Sequence, residues 1–132
     1  MGITRVRNEQ LKQINRFAVR LIDVADNHTV VLALGGDYRI SNRAITIVGV
    51  GAYVDVAGVT GLATINIKEA GTTILSTKIT IDSAEKTSET AATLPVISDT
   101  SIAADAVITF DIDVIQTTAA KGLVVWLTFV YT

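Results

Sequence analysis

The chain has 132 residues, no cysteine and a formal net charge of −2 at pH 7. A chain of this length is expected to form one domain that buries roughly two thirds of its unfolded surface, so it can fold without covalent staples. The lack of cysteine excludes disulfides and thiolate metal sites, and the longest apolar run, eleven residues at the C-terminal end, is too short to span a bilayer.

Positive charge is concentrated in the first 22 residues of the sequence. These residues carry five basic side chains and one acidic one, a local charge of +4, whereas the remainder sums to −6. Leu11, Ile14 and Ala18 recur every three or four residues, which favours a short amphipathic helix over about residues 9–20. Phe17 and Val19 favour an extended segment equally well. Both alternatives are open at this point.

We predict that residues 1–25 form a basic docking arm and that residues 26–132 form a β body. Basic residues interleaved with apolar ones, on a chain that is acidic elsewhere, suit an acidic protein surface better than the phosphates of a nucleic acid. The predicted docking residues are Arg5, Arg7, Leu11, Lys12, Ile14, Arg16, Phe17 and Arg20.

A period of two, typical of β-strands, begins near residue 28. Residues 29–34 alternate, and the Gly-Gly-Asp at 35–37 predicts a tight turn of a hairpin that returns through Tyr38–Ile40. The β-branched run 45–56 contains two glycines, at 49 and 51, which predict a bulge or a bend where the strand changes sheet.

The region after residue 60 gives the clearest hairpin of the sequence. Residues 63–68 predict one strand, residues 69–72 the turn, and residues 75–81 the returning strand. The small polar residues at 83–90 predict a mobile surface loop. The proline within Leu94–Ile97 places that short piece at a sheet edge or at the start of a strand.

Residues 106–116 predict a strand with one apolar, inward face and one polar face; the apolar face consists of Ile108, Phe110, Ile112 and Val114. Asp111 and Asp113 lie on the polar face, within reach of Lys68 or Lys78 if those residues are on a neighbouring strand.

The final strand, residues 122–132, is apolar on both faces, although a strand of a small sandwich needs only one apolar face. The second face therefore requires a cover. We predict that another copy of the chain supplies it, with Val124, Trp126 and Val130 at the subunit interface.

The sequence contains no recognisable set of catalytic residues. His28, the only histidine, has no motif around it that would make it a general base, so a surface position at a strand start is favoured. Asp111 and Asp113 lack the loop of oxygen ligands that a calcium site needs. We therefore predict no enzyme, no metal and no cofactor. Trp126 and Tyr53 are the candidates for a sugar-stacking platform, provided that their rings are exposed.

Seven or eight short predicted strands without a second helical segment predict an all-β protein, a single antiparallel β-sandwich or jelly-roll domain. Within it, residues 101–132 resemble the closing strand pair of small phage virion proteins with this type of fold, and the hairpin at 63–81 is similar. The residues that carry the resemblance are Ala104-Asp105, Phe110–Val114, Thr117–Ala120 and Lys121-Gly122-Leu123.

This resemblance implies a capsid decoration or cement protein, which binds the outside of a phage head as an oligomer, usually a trimer, and stabilises contacts between capsid subunits. It implies the major capsid protein and further copies of the chain as partners. We expect no nucleic acid and no membrane partner, a location on the capsid surface of the virion, and the host cytoplasm during assembly. The alternative is a receptor- or glycan-binding domain of a head or tail fibre, which exposed aromatic rings with polar neighbours would favour.

Overall fold

The computed structural model describes residues 13–22 and 33–132, and this part of the chain is all-β. Its regular elements are eleven antiparallel strands and one short 3-10 turn. The strands are β1 (Asn15–Ile22), β2 (Ala33–Arg39), β3 (Ile45–Val56), β4 (Ala63–Glu69), β5 (Thr72–Thr73), β6 (Leu75–Thr77), β7 (Ile79–Ile81), β8 (Val96–Ile97), β9 (Ser101–Ile102), β10 (Val107–Val114) and β11 (Lys121–Tyr131), and the turn is Ser88–Thr90. The predicted all-β fold class is confirmed.

The strands form two main sheets. The four-stranded sheet has the order β1-β11-β3-β9, and the five-stranded sheet has the order β2-β10-β4-β5, with β7 also paired to β4. β6 and β8 form a separate short pair. The two longest strands, β3 and β11, lie side by side, and β11 also pairs with β1 on its other edge.

The core lies between the two main sheets and is built from the inward side chains of their strands. Phe110 of β10 and Leu123 and Leu127 of β11 are fully buried, and burying such a side chain stabilises the fold by about 1.5–3 kcal/mol. The predicted inward faces of β10 and β11 are thus confirmed. Val114 is the exception, because the register of β10 on β4 shifts between Ile112 and Val114 and leaves Val114 exposed.

A strand, not a helix, precedes the β body. Residues 15–22 are β1, antiparallel to β11, so the helical alternative over residues 9–20 is wrong for residues 15–20. Phe17 and Val19 pack against the core while Arg16, Ala18 and Arg20 are exposed, and this alternation is the period of a strand. Pairing with β11 gives this segment backbone partners, whereas an isolated helix of this length is marginal in water. The segment is part of the sheet; an arm formed by earlier residues stays a prediction.

The glycines of β2 form a bulge instead of the predicted hairpin turn. Residues 35–37 lie inside the continuous strand β2. Leu34 pairs with Asp111 and Asp37 pairs with Thr109, so the two glycines between them face a single residue of β10. Glycine adopts the backbone conformations of a bulge as readily as those of a turn, and the sequence alone does not separate the two.

β3 contains the predicted bulge but does not change sheet. Gly49 pairs with Thr128 and Ile47 pairs with Phe129, so Val48 is the extra residue. β3 pairs with β11 from its first residue to its last, which makes the predicted change of sheet wrong.

The hairpin at 63–81 is confirmed, and its turn has two residues. Ala70 and Gly71 have φ angles of 49° and 84°, the pair of positive values that a type I′ turn requires. Glu69 and Thr72 pair on either side of them. The return is broken into β5, β6 and β7, because β6 leaves β4 and pairs with β8.

The polar stretch 83–90 is anchored along β3 and is not the free surface loop that its composition predicts. The N–H of Val54 donates to the carbonyl oxygen of Lys86 at 2.8 Å, and the N–H of Ala52 donates to Oγ of Ser88 at 2.9 Å. Ser88 is buried. This segment takes the place of a neighbouring strand at that end of β3.

Candidate functional site: the outer face of the four-stranded sheet

The outer face of the four-stranded sheet carries the residues predicted at a subunit interface. Val124, Trp126 and Val130 of β11 point away from the core, and each is half-buried. Ala18 of β1 and Tyr53 of β3 flank them and are exposed. The term "Trp126 face" denotes the following residues: Arg16, Ala18, Tyr53, Val124 and Trp126.

Trp126 is covered in part by its own chain. Its ring lies against Gly51 of β3, where an added Cβ would overlap Cζ2 of the ring. The guanidinium of Arg16 lies over the ring, 4.9 Å from its centroid, a cation–π contact of a kind worth about 0.5–1 kcal/mol at an exposed site. Trp126, on the second apolar face of β11, is therefore covered in part by neighbours on both adjacent strands, which the sequence did not reveal.

A depression of about 480 Å³ lies on the Trp126 face. Val124 and Trp126 supply its apolar part, and Arg16, Thr87 and Glu89 supply polar groups. An apolar centre with a polar rim is the usual anatomy of a protein–protein contact. The arrangement suits binding to another protein surface.

An ion pair borders this depression. Arg20 of β1 and Asp55 of β3 are joined at 2.5 Å between Nη1 and Oδ2, across the intervening strand β11. Both side chains are partly exposed, so the pair is worth at most about 1 kcal/mol. Its effect is to hold Arg20 on its own sheet.

The structure gives three of the predicted docking residues roles within their own chain. Phe17 packs against the core, with its ring centroid 5.7 Å from that of Tyr38 and 6.5 Å from that of Phe110. Arg16 lies over a ring and Arg20 is paired with a carboxylate. The packing of the Phe17 ring against the core disfavours a role of this residue in docking on a partner.

The remaining docking residues are placed differently. Ile14 precedes β1 and is 64 % exposed. Four residues lie outside the described part of the chain, as does His28: Arg5, Arg7, Leu11 and Lys12. Their docking role stays a prediction.

The outer face of the five-stranded sheet carries ion pairs. Nζ of Lys68 lies 2.8 Å from Oδ2 of Asp111, and Nζ of Lys78 lies 2.7 Å from Oδ2 of Asp113. Both lysines considered from the sequence thus lie close to these aspartates, Lys68 on the neighbouring strand β4 and Lys78 just before β7. The hydrogen bond from Lys68 to Asp111 and the negative charge of that carboxylate raise the pKa of Lys68 above its ordinary value. Both aspartates are engaged by lysine, and residues 13–22 and 33–132 contain no cluster of three side chains able to hold a metal ion.

A second depression, which the sequence did not predict, lies along the edge of β3 that faces away from β11. It measures about 470 Å³. We call it the β3 groove, and its residues are Val48, Gly49, Val50, Ser88, Glu89, Leu94, Pro95, Val96 and Ile97. Val48, Leu94 and Val96 are 50 %, 57 % and 51 % exposed. Large apolar side chains gathered in one concave place mark an interaction surface; the one signal in the sequence was the apolar run Leu94–Ile97 after a polar stretch.

Comparisons with known proteins identify no relative of the chain. No protein-family model, no curated protein and no solved structure matches the chain. Within the part of the chain that the structure describes, no helix is long and apolar enough to cross a membrane.

Proposed function

We propose that this chain is a structural protein of a virion, a capsid decoration or cement protein. It binds the outside of a phage head as a homo-oligomer, for which we propose a trimer. The observation that carries the proposal is β11: its inward face lies in the core, and its outward face presents Val124, Trp126 and Val130 at the surface of a regular sheet. A few apolar side chains per subunit, each worth about 1.5–3 kcal/mol when buried, suffice to hold a closed oligomer.

The rest of the proposal rests on charge and on the resemblance of residues 101–132 to small phage virion proteins. Its partners are the major capsid protein and further copies of the chain, and its location is the capsid surface. The basic residues before β1 are proposed to engage an acidic neighbour. The chain acts by contact and not by catalysis, since nothing in its sequence assembles a nucleophile, a base and an orienting group.

A receptor- or glycan-binding fibre domain is the second candidate, and one observation favours it. Tyr53 is 39 % exposed, and polar side chains lie beside it in the same depression. Stacking of a sugar on Trp126 is disfavoured, because Gly51 lies against that ring and Arg16 lies over it. A stacked sugar would have to displace the guanidinium of Arg16 from the ring.

Sedimentation and native mass measurement of Trp126→Asp test the proposed assembly. A buried carboxylate at the subunit interface is costly, so this variant is expected to be a monomer that keeps its β circular dichroism, whereas the parent chain is an oligomer at micromolar concentration. Val114→Asp is the matched control, since Val114 is exposed on the other sheet; it should leave the oligomer intact. A parent chain that sediments as a monomer contradicts the proposal.

Binding to empty heads of the virus that encodes the chain tests the decoration role. The parent chain should co-sediment with heads, and Trp126→Asp should co-sediment less, because each monomer has fewer points of attachment. Glycan-array binding by the parent chain, without binding to heads, would favour the fibre domain instead.

A further inference from the structure

The outer edge of β3 is held at both ends and open in the middle. At one end the N–H of Ile47 donates to the carbonyl oxygen of Thr100 at 2.8 Å. At the other end the N–H of Ala52 donates to Oγ of Ser88 at 2.9 Å. Between these two bonds, no residue of the described chain pairs with β3 on this side. The gap is where the β3 groove lies.

The gap has the size of a short strand. Four residues, 48–51, separate Ile47 from Ala52, so the open edge is about 16 Å long at 3.3 Å per residue. The backbone groups of an antiparallel strand alternate in direction, which places the N–H and carbonyl of Val50 on the same side as the N–H of Ala52. An extended peptide of four or five residues fits this edge and can satisfy those groups by strand addition.

The lining defines the chemistry of the occupant. Leu94, Val96 and Val48 make the walls apolar, and Glu89 is the one charged residue among the groove residues. Asp99, an exposed acidic residue, lies next to Thr100 at the other end of the gap. The groove therefore suits an extended segment in which apolar side chains alternate with basic ones.

We propose that the β3 groove binds residues 3–7 of a neighbouring copy of this chain. Their sequence, Ile-Thr-Arg-Val-Arg, combines β-branched residues with two arginines, which match the apolar walls and Glu89. Five residues also match the length of the open edge. Residues 8–12 link this segment to Gln13, and at up to about 3.3 Å per residue they allow residue 7 to lie up to about 20 Å from Gln13, beyond the edge of its own subunit.

The choice of a neighbouring copy follows from the place of β1, and it rests on the proposed oligomer. β1 is at the opposite edge of the four-stranded sheet from the groove. Within one subunit, the direct route from β1 to the groove crosses the outer face near Thr128 and Val130. The proposed function places that face between subunits, so the segment is directed to the adjacent groove.

Cysteine cross-linking in the full-length protein tests this inference on a clean background, because the natural chain has no cysteine. One preparation carries Val96→Cys in the groove, and a second carries Val6→Cys or Arg5→Cys, which point to opposite sides of an extended segment. Mixing the two and oxidising should give a covalent heterodimer with at least one of the segment variants. Val114→Cys replaces Val96→Cys in the control, which should give at least tenfold less product.

Charge reversal provides a second measurement, and the combined variant decides it, because Glu89 also lines the depression of the Trp126 face. Glu89→Lys is expected to weaken self-association roughly three- to tenfold, and Arg5→Glu with Arg7→Glu should weaken it similarly. Combining both changes should restore most of the lost affinity of self-association. A loss with each that does not recover in the combination overturns the pairing of these charges.

The outcomes separate this inference from the proposed function. In one outcome, Trp126→Asp dissociates the oligomer but the mixed cysteine preparation gives no cross-link. That outcome overturns residues 3–7 as the occupant of the groove and leaves the proposed function standing. Cross-links that form only when both cysteines are in one chain show that residues 3–7 bind the groove of their own subunit. This result would overturn the proposal that they bind a neighbouring copy. If the parent chain is monomeric at all concentrations, the proposed function is overturned, and so is the binding of residues 3–7 to a neighbouring copy.

Discussion

Replacing Phe17 by alanine tests whether β1 belongs to the folded body or to a detachable arm. The ring of Phe17 contacts the rings of Tyr38 and Phe110, on the two strands β2 and β10 of the facing sheet. If these contacts hold β1 in place, Phe17→Ala lowers the free energy of unfolding. If Phe17 serves only to dock on a partner, the variant unfolds as the parent chain does.

The magnitude follows from the burial of the ring. Truncation of a fully buried phenylalanine costs about 3–5 kcal/mol. Phe17 is partly buried, so we expect a loss of about 2–3 kcal/mol. For a chain of 132 residues, each kcal/mol lowers Tm by about 3–4 °C, which gives a decrease of about 8 °C.

Thermal and urea unfolding followed by far-UV circular dichroism measure the effect. Ile14→Ala is the matched control, since Ile14 precedes β1 and is 64 % exposed. It should change the free energy of unfolding by no more than about 0.5 kcal/mol. Equal stabilities of the two variants would refute the packing argument and return Phe17 to the list of docking residues.

Two further changes test the sheets. Gly51→Ala is expected to destabilise the chain by about 1–3 kcal/mol in thermal unfolding, because the new Cβ would overlap the ring of Trp126; an unchanged Tm would show that the ring moves aside freely. Lys68→Gln tests the pH dependence of the free energy of unfolding. Because the pKa of Lys68 is raised in the folded state, the contribution of Lys68 to that free energy is full below about pH 10.5 and is lost as the pH rises through the folded pKa. Urea titrations across that range should show the parent chain losing stability relative to Lys68→Gln, and parallel pH profiles would contradict the role of Asp111.

The sequence predicts best where a period of two meets a buried face. The inward residues of β10 and β11 and the hairpin around Gly71 follow from alternation and turn chemistry alone. Burial on one face allows one register only, because a shift by one residue would turn the apolar set towards water. The wrong assignment of Val114 occurs where the register itself shifts.

The sequence predicts poorly where one residue type suits two local structures. The pair of glycines in β2 suits a turn or a bulge, and only the pairing with β10 selects the bulge. Residues 9–20 fit a helical period and an extended one, and the contacts of Phe17 with the facing sheet select the strand. Both choices are made by residues far away in the sequence.

The two candidate surfaces show the same limit. The apolar outer face of β11 was visible as a pattern, but the cover that Arg16 and Gly51 give to Trp126 depends on which strands are its neighbours. The β3 groove depends on the hydrogen bonds that the backbone N–H groups of Ala52 and Ile47 donate to distant segments. No local pattern in a sequence records where an edge is left open.

The position of the single tryptophan gives the chain an optical probe of its own. Trp126 is the only residue of its type, and it lies at the surface between Gly51 and Arg16. Its emission therefore comes from one site, with no background from the core. A partner that covers this surface removes water from the indole and shifts the emission to the blue, whereas a partner bound in the β3 groove leaves the indole solvated. Contact at the two surfaces can thus be distinguished in the unlabelled protein.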